Sequence, residues 1–328
     1  MRCEAKKALA VAKLFALLLA CCAGIAAAQG YPAKPVRFIA PFPPGGSTDF
    51  LARLVAQKLT DAWGQQVVVE NRGGAGGTIG VELAAKSPPD GYTIVMGHIG
   101  TFGANPTLYP KLPYDAIRDF APITLLAMVP NGMVVHPSLP VRSAREFLAM
   151  ARARPKQLLY GSGGSGSATH LAVVYLELLA KIDLVHVPYK GAGPSVIDLI
   201  ACQTSMTITG MPALMPHIKS GRLRPIGVGT AKRLAVMPDV PTIAESGVPG
   251  YEATQWYGIL APAATPRDLV ARLNADIVKV LQRPDVRERL ASDGALPVGN
   301  TPEEFGAHIK SEIARWAPVV KASGARPE

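Results

Sequence analysis

The chain has 328 residues, a formal net charge of +10, 48% hydrophobic residues and 6% aromatic residues. This length is sufficient for two domains of ordinary size, and the hydrophobic fraction excludes an intrinsically disordered chain. The basic residues are scattered along the chain, which excludes the clustered footprint of a nucleic-acid-binding protein. A general attraction for anionic solutes is the more useful interpretation of the positive charge.

The first 28 residues have the layout of a secretory signal peptide. A positive start precedes an apolar run from residue 14 to 25, and three alanines follow. We expect cleavage after Ala28 and export to the periplasm, because the apolar run is shorter than the ~20 residues of a membrane span. One alternative is open: residues 18–21 resemble a lipobox, which would leave a lipid on Cys21.

Little in the remaining chain indicates redox, metal or catalytic chemistry. Three of the four cysteines lie in the leader, so Cys202 cannot form an internal disulfide or a cysteine-based metal site. The six histidines are well scattered. There is no P-loop, no H-E-x-x-H motif and no G-x-S-x-G elbow. We therefore expect no cofactor, no metal and no catalytic residue.

After the leader, strands and helices alternate. The first unit is predicted as strands at 35–40, 67–70 and 92–97 with helices at 47–59 and 78–86. This order is typical of a parallel sheet covered on both faces.

A second unit of the same kind begins near residue 129, and two helices close the chain. Its predicted strands are 133–135, 158–160, 185–188, 205–209 and 225–229, and its helices are 143–153, 168–180, 193–201 and 211–219. A strand at 255–261 and helices at 266–282 and 301–322 follow. We expect an α/β protein of two lobes, 29–128 plus 252–328 and 129–251, with a ligand cleft between them.

Two glycine-rich loops join a strand to a helix, one in each predicted lobe. They are Pro41–Asp49 and Gly161–His170. The first N–H groups of a helix have no internal partner and carry partial positive charge, so each loop could hold a carboxylate without an arginine. A purely structural turn is the alternative for either loop, and Asp49 is more simply a first-turn residue.

The second loop also matches the dinucleotide spacing G-x-G-x-x-G at Gly161, Gly163 and Gly166. The acidic residue about twenty positions on, Asp183, precedes its strand, whereas the acid that binds a ribose follows its strand. The context therefore contradicts nucleotide binding.

The order of several segments resembles a known family. They are Tyr31–Val36, Pro41–Asp49, Val69–Gly77, Pro89–Thr93, Tyr160–Leu171, Val187–Gly191, His217–Arg224 and Pro238–Thr242. Together they resemble the substrate-binding receptors of tripartite tricarboxylate transporters, the Bug or TctC-like proteins, over nearly all of the chain that follows the leader.

The resemblance implies a type II periplasmic binding fold that closes on a small organic acid, and no enzymatic activity. It implies a monomeric receptor whose partners are two membrane permease subunits. Carried onto this chain, it assigns carboxylate binding to residues of the two loops: Phe42, Gly46, Ser47, Thr48, Ser162, Ser165, Gly166, Thr169 and His170. For His170, fixing the loop through the backbone is an equal alternative.

One stretch, residues 204–210, departs from relatives that carry an acidic or amide residue there, because it is rich in hydroxyl groups. The departure favours a ligand without an ammonium group: a dicarboxylate, a tricarboxylate or an aromatic acid. Candidates for the distal part of the pocket, with core packing as the alternative, are Thr101, Phe102, Tyr189, Met211 and Trp256. An exported sensory protein and an exported enzyme acting on carboxylates are the competing functions.

Overall fold

A computed structural model describes residues 30–326, so the predicted leader and its cleavage site lie outside the described residues. The strands are β1 (Val36–Ala40), β2 (Val67–Asn71), β3 (Thr93–His98), β4 (Phe120–Val135), β5 (Leu159–Ser162), β6 (Val185–Pro188), β7 (Met206–Gly210), β8 (Arg224–Val228), β9 (Thr254–Pro262) and β10 (Leu296–Pro297). The α-helices are α1 (Ser47–Trp63), α2 (Thr78–Ala85), α3 (Asn105–Leu108), α4 (Ala144–Ala153), α5 (Ala168–Ala180), α6 (Ala192–Ile200), α7 (Met211–Lys219), α8 (Arg267–Leu281), α9 (Pro284–Ser292) and α10 (Pro302–Ser323).

The strands form one continuous sheet in the order β2-β1-β3-β9-β4-β7-β5-β6, with β8 and β10 also paired to β4. Pairing is parallel within each βα unit, as the alternation predicts, at β1–β2, β1–β3, β5–β6 and β5–β7. The central pairs β3–β9, β4–β9 and β4–β7 are antiparallel. The two parallel halves are therefore joined by strands that run from one half into the other.

Strand β4 is the main connection between the two halves. Its first part pairs with β9, and its last five residues pair with β7. The sequence predicts a strand only at the end of this segment, because Pro122 and Pro130 disfavour a ladder. Pro122 is accommodated at an irregularity of the register between itself and Thr124.

Each half has its own hydrophobic core. One cluster draws on 36–129 and 257–295, including Leu51, Leu59 and Leu273, and a second draws on 133–253, including Phe147 and Leu176. A third cluster, which includes Leu108 and Trp256, joins Ala168 and Leu171 of the second half to the first half. We propose the predicted boundaries, 29–128 plus 252–328 and 129–251, for the two lobes. No helix among the described residues has the length and apolar character needed to cross a membrane.

A π-helix at Ile99–Ala104 follows β3 and was not predicted. His98 and Thr101 cap it reciprocally: the Thr101 backbone N–H donates to His98 Nδ1 at 3.1 Å, and the His98 backbone N–H donates to Thr101 Oγ1 at 3.2 Å. All six residues of the helix are buried. The cap holds His98 at the carboxyl end of its strand.

The Phe305 ring packs directly on the backbone of Gly258 in β9, where a Cβ would lie 2.0 Å from the ring tip. We expect Phe305→Ala to lower the free energy of unfolding by about 3–5 kcal/mol through the cavity it leaves. Gly258→Ala should lower it by about 1–3 kcal/mol through overpacking. Urea denaturation of the single and double variants measures both effects.

The double variant should lose less than the sum of the two single losses, because the added methyl group occupies part of the vacated space. Gly306→Ala in α10 is the control, since a Cβ there meets only Pro122 at an ordinary 3.5 Å. Strictly additive losses would show that Phe305 does not require a glycine at position 258.

Candidate functional site

A cavity of about 30 Å³ lies where the loops of both halves meet beyond the carboxyl ends of the strands. It has room for a few water molecules, so the two lobes are closed on each other. None of the residues that line it is acidic or carries the formal charge of a lysine or arginine. They are Phe42, Gly46, Ser47, Thr48, His98, Gly163, Ser167, Ala168, Thr169, Ala192, Thr209, Gln255 and Tyr257.

Helix α1 begins at this cavity without a side-chain cap. Its N-cap Gly46 is extended, and the first helical bond runs from Phe50 N to Gly46 O at 3.1 Å. The N–H groups of Ser47 and Thr48 therefore have no partner within the helix. Ser47 is 3% exposed, and its Oγ has no hydrogen-bond partner of good geometry, although it lies close enough to the Tyr257 hydroxyl group to oppose the rise of that group's pKa. A buried donor without a partner is costly, so this corner is suited to an acceptor from a ligand.

Helix α5 begins on the opposite wall, behind a chain of hydroxyl groups. Gly163 N donates to Thr169 Oγ1 at 2.7 Å, and His170 N donates to Ser167 Oγ at 3.2 Å. The two hydroxyl oxygens lie 2.9 Å apart, so one of them donates to the other. Two hydroxyl groups carry two hydrogens and this contact uses one, which leaves one hydrogen that can be donated.

A third helix, α6, brings its first residue, Ala192, to the same cavity. Its N-cap Gly191 has an extended conformation and makes no side-chain cap. Three helix N-termini thus meet around one space without an arginine or a lysine in its lining. Their free N–H groups and partial positive charges favour an anion.

His98 contributes to the wall of the cavity as a neutral group. Burial lowers the pKa of His98 to about 4. Its Nδ1 accepts the hydrogen bond from Thr101 N, so the proton of the neutral ring is on Nε2. The ring packs against Phe42, with centroids 4.7 Å apart.

A buried chain of hydrogen bonds forms the floor of the cavity. Tyr257 Oη donates to Gln255 Oε1 at 2.6 Å, and Gln255 Nε2 donates to Asn131 Oδ1 at 2.6 Å. Gln255 and Tyr257 lie on β9, and Asn131 lies on β4, so the chain links the two strands that connect the lobes. Burial raises the pKa of the Tyr257 phenol well above its ordinary value, against smaller opposing contributions from Ser47 and Thr48.

The lobes touch through glycines on either side of the cavity. A Cβ on Gly193 would lie 2.5 Å from the carbonyl oxygen of Pro44, and one on Gly191 would lie 2.7 Å from Pro43 Cδ. On the other side, a Cβ on Gly166 would lie 1.9 Å from Leu108 Cδ2. The two lobes are therefore in close contact at glycine positions that have no space for a side chain.

Comparison with known proteins identifies the family. Residues 51–325 match the tripartite tricarboxylate transporter family receptor, TctC. The chain belongs to this family. Among curated relatives, BugT of Bordetella pertussis is 40% identical over 308 residues, which cover 93% of this chain and 94% of BugT.

Solved structures agree with the fold of a TctC-family receptor. A Rhodopseudomonas palustris protein with adipate is 39% identical, covers 91% of this chain and 100% of its own, and has a TM-score of 0.88. The periplasmic binding protein BugD is 34% identical, with 90% and 99% coverage and a TM-score of 0.86. MatC of R. palustris with bound malate is 34% identical, with 88% and 100% coverage and a TM-score of 0.84.

These likenesses confirm the family and the two-lobed periplasmic binding fold that the sequence predicts. The TctC family and its solved members are periplasmic binding proteins.

The structure divides the predicted site residues into two groups. Five of them line the cavity: Phe42, Gly46, Ser47, Thr48 and Thr169. The other six lie outside its lining: Thr101, Ser162, Ser165, Gly166, His170 and Tyr189. The binding role of each stays a prediction, and the positions of the second group indicate what else these residues do.

Ser162 and His170 hold the second loop from behind. Gly166 N donates to His170 Nδ1 at 3.1 Å, and Gly164 N donates to Ser162 Oγ at 3.1 Å. The His170 ring stacks on His186 at 4.2 Å, and Ser162 Oγ lies 2.6 Å from His186 Nε2. Burial, with a smaller contribution from His186, lowers the pKa of His170 to about 3. Of the two alternatives for His170, this geometry favours fixing the loop.

The remaining predicted residues have structural contacts of their own. Thr101 caps the π-helix, and Tyr189 Oη donates to Asp198 at 2.8 Å. Burial and that hydrogen bond raise the pKa of Tyr189 to about 12. The distal-pocket candidates Phe102, Met211 and Trp256 are core residues, each exposing 1% or less.

Asp49 takes the structural role that the sequence favours. It accepts hydrogen bonds from Gly45 N at 3.2 Å, from Arg53 Nε at 2.9 Å and from Asn71 Nδ2 at 2.9 Å. Asp49 thus fixes the conformation of the first loop and does not line the cavity.

Sequence reasoning did not assign several lining residues to the site. They are above all His98, Gln255 and Tyr257, together with Thr209, which it named only within the hydroxyl-rich stretch 204–210. One signal could have found two of them: His98 and Thr209 stand at the carboxyl ends of strands, where ligands of α/β proteins collect. Gln255 and Tyr257 alternate on β9, but their direction depends on the pairing with β4, and no local pattern gives that pairing.

The neutral histidines should make stability depend on pH. In the unfolded chain a histidine pKa is near 6.5, so the unfolded state binds protons below that pH while His98 and His170 in the folded state stay neutral. The free energy of unfolding should therefore fall by about 2 kcal/mol per histidine between about pH 7.5 and pH 5. Above about pH 7.5 these groups should contribute almost no pH dependence.

His170→Asn keeps an acceptor for Gly166 N but does not titrate. In urea denaturation at about pH 7 and pH 5, it should reduce the fall relative to the natural chain. An equal fall in both proteins would contradict the assignment of a buried, neutral His170.

Gly193 should be required for closure and not for folding. It is the second residue of α6 and has no left-handed backbone, so Gly193→Ala should leave both lobes folded and lower the melting temperature only by the loss of the closed contact. Because its methyl group would collide with Pro44, small-angle scattering with adipate or malate should give a larger radius of gyration than for the natural chain.

Gly306→Ala is again the matched control, since it is a helical glycine outside the cleft and should behave as the natural chain in both measurements. If Gly193→Ala shows the natural radius of gyration under every condition, the contact at Pro44 does not limit closure.

Proposed function

We propose that this chain is a receptor that captures a small organic carboxylate in the cleft between its lobes. The ligand is a dicarboxylate, a tricarboxylate or an aromatic acid. The observation that carries the proposal is the meeting of three helix N-termini and the unpartnered Ser47 hydroxyl group in one cavity without charged side chains. The relatives solved with adipate and malate support the same class of ligand.

In this proposal, a carboxylate accepts hydrogen bonds from the two lobes at once. Ser47 and Thr48 donate from the start of α1, and the Ser167–Thr169 pair donates its remaining hydroxyl hydrogen from the start of α5. Phe42 and Gly46 shape the lobe 1 wall. Ser162, Ser165, Gly166 and His170 hold the second loop, Thr101 orients His98, and Tyr189 supports the second loop from outside.

A bridging carboxylate would also stabilise the closed lobes. Closure is therefore coupled to capture, because the ligand binds the closed form better than a form in which the two walls are apart. The closed, occupied receptor would then be recognised by two membrane permease subunits of a tripartite transporter. We place the monomeric protein in the periplasm after cleavage near Ala28.

One pair of side chains has the separation of a nucleophile and its base. Ser162 Oγ and His186 Nε2 lie 2.6 Å apart. Ser162 is fully buried, however, and does not line the cavity. A substrate in the cleft would not reach its hydroxyl group, so we propose binding without turnover.

The first test is the melting temperature of residues 29–328 with a panel of di-, tri- and aromatic carboxylates, with sugars as controls. A ligand that binds only the folded state raises stability by ~2.7 kcal/mol at a hundredfold excess over its dissociation constant. A large shift with one acid, and no loss of that acid on incubation, is the expected result. Consumption of the acid would favour an enzyme, and no shift across the panel would contradict carboxylate capture.

The variant Ser47→Ala tests the proposed hydrogen bond from the Ser47 hydroxyl group to the ligand. Loss of a hydrogen bond to a carboxylate should weaken binding of the acid found in the panel by about 1.5–3 kcal/mol. Ser195→Ala is the matched control, because Ser195 Oγ is equally buried and also without a partner but lies outside the cavity. Calorimetry should show weaker binding for Ser47→Ala alone.

A further inference from the structure

The net charge is divided unequally between the two lobes. Residues 129–251 contain twelve basic and six acidic residues, a net charge of +6. Residues 29–128 and 252–328 together contain eighteen basic and seventeen acidic residues, a net charge of +1. Lobe 2 therefore carries almost all of the positive charge that follows the leader. None of the described residues that line the cavity is a lysine or arginine, so this charge is available for another partner.

Four exposed basic residues of lobe 2 lie at the end opposite the cavity. They stand at the end of α4 and in the loops that precede β5 and β6, whereas the cavity lies beyond the carboxyl ends of these parallel strands. The four residues are Arg152, Arg154, Lys156 and Lys181.

Hydrogen bonds between the loops hold these residues on one surface. Arg152 Nη2 donates to the carbonyl oxygen of Ala180 at 3.2 Å, so its guanidinium group lies at the end of α5, where Lys181 follows. Lys156 N donates to Asp183 O at 2.9 Å. The loop before β5 is therefore in contact with the loop before β6.

Two acidic residues share these loops and do not balance the four cations. Asp183 Oδ2 lies 3.6 Å from Lys156 Nζ, in a pair whose side chains are both more than half exposed, so solvent weakens it. Glu177 Oε1 accepts from Leu184 N at 2.7 Å, and burial raises the pKa of the Glu177 carboxyl group to about 7. Near neutral pH Glu177 carries less than a full charge, and the basic residues remain in excess.

Two apolar side chains are exposed beside the basic residues. Leu178 and Leu179 belong to the last turn of α5, directly before Ala180, and are 49% and 40% exposed. Other residues of the same helix, including Leu176, already fill the core of lobe 2. Adjacent exposed apolar residues with a polar rim are typical of an interaction site.

Both lysines of this surface have a backbone conformation that favours glycine. The φ angle is 56° at Lys156 and 52° at Lys181. The left-handed region is unfavourable for a residue with a Cβ, and glycine is the usual residue where a helix ends as α5 does at Lys181. Replacement of either lysine by glycine should therefore remove a charge without a loss of stability.

We propose that this end of lobe 2 docks on the surface of an anionic lipid bilayer. The docking surface consists of Arg152, Arg154, Lys156, Leu178, Leu179 and Lys181. Its cations would lie against lipid phosphate groups, and its leucines would enter the boundary between headgroups and acyl chains. Because the cavity is at the opposite ends of the strands, docking would leave the cleft open to solutes.

The charge of the docking surface argues against two other occupants. A second copy of the chain would bring two lobes of charge +6 together, so self-association through this surface is unfavourable. An acidic protein would match the charge, but it would need a shape that fits flexible lysine and arginine side chains. A fluid bilayer requires no such fit and attracts each basic residue near its surface.

Vesicle flotation with residues 29–328 tests the proposal. The protein should float with vesicles of phosphatidylethanolamine and phosphatidylglycerol and not with vesicles of phosphatidylcholine alone, and the bound fraction should fall as salt is added. No binding to the anionic vesicles at low salt would overturn the proposal and leave an acidic protein as the partner that suits this surface. Equal binding to both kinds of vesicle would also overturn it, because charge would then have no role.

Lys156→Gly combined with Lys181→Gly tests the place of docking. Each lysine near an anionic bilayer contributes about fivefold to binding, so this variant should bind the anionic vesicles at least about tenfold more weakly. Its melting temperature should equal or exceed that of the natural chain. Lys111→Gln combined with Lys310→Gln is the control, because it removes two exposed lysines of lobe 1 and should bind almost as tightly as the natural chain. Equal weakening in both variants would overturn the assignment of this surface, since net charge alone would then explain binding.

Leu178→Ser combined with Leu179→Ser tests the entry of the leucines into the bilayer. Both side chains are exposed, so the variant should fold, and its binding to the anionic vesicles should weaken at least about fivefold because less apolar area leaves water. Ile197→Ser is the control, because Ile197 is 62% exposed on α6, outside the docking surface. Unchanged binding of the leucine variant would overturn the proposed contact with the acyl chains.

Discussion

The two lobes share β4 and β9, and the geometry of the cleft depends on the way these two strands hold together. The two strands pair along most of β9 and then separate into different halves of the sheet. At the point of separation, Asn131 and Gln255 are joined by a buried hydrogen bond, and Tyr257 extends the chain. The floor of the cavity is thus formed by the two strands that connect the lobes. A change in the angle between the lobes would therefore move the side chains that line the floor.

Above these groups lies the proposed binding site, in which helix N-termini instead of charged side chains would attract an anion. Loops fixed from behind make that possible: Asp49 holds the first, and Ser162 with His170 holds the second. Because these groups already have partners inside the protein, they keep N–H groups in place without competing for the ligand. Such preorganisation reduces the entropy that binding must overcome. It also explains why residues of a recognisable loop motif lie outside the cavity lining.

Most of the fold can be predicted from the sequence, because local residue patterns and helix caps determine it. Helix α5, helix α7 and strand β6 have the predicted bounds, and both glycine loops begin helices at the cleft. The length of β4 and the antiparallel centre of the sheet depend on pairings between distant residues. Pro122 and Pro130 also make most of β4 look unlike a strand in the sequence. The residues of the site also fall into these two classes, those set by local sequence and those set by distant pairing. The two loops follow from helix starts, and the family resemblance assigned Ser47, Thr48 and Thr169 within them. Gln255 and Tyr257 enter the cavity through tertiary pairing alone.

The uncharged lining has a consequence for the environment in which the protein works. A receptor that grips its ligand through exposed lysines or arginines loses affinity as ionic strength rises, since dissolved ions screen such pairs. In the proposed site the attraction comes from N–H groups between the lobes, and none of the described residues that line the cavity is a lysine or arginine. The affinity for an anionic ligand should therefore depend less on ionic strength than it would with exposed cationic side chains.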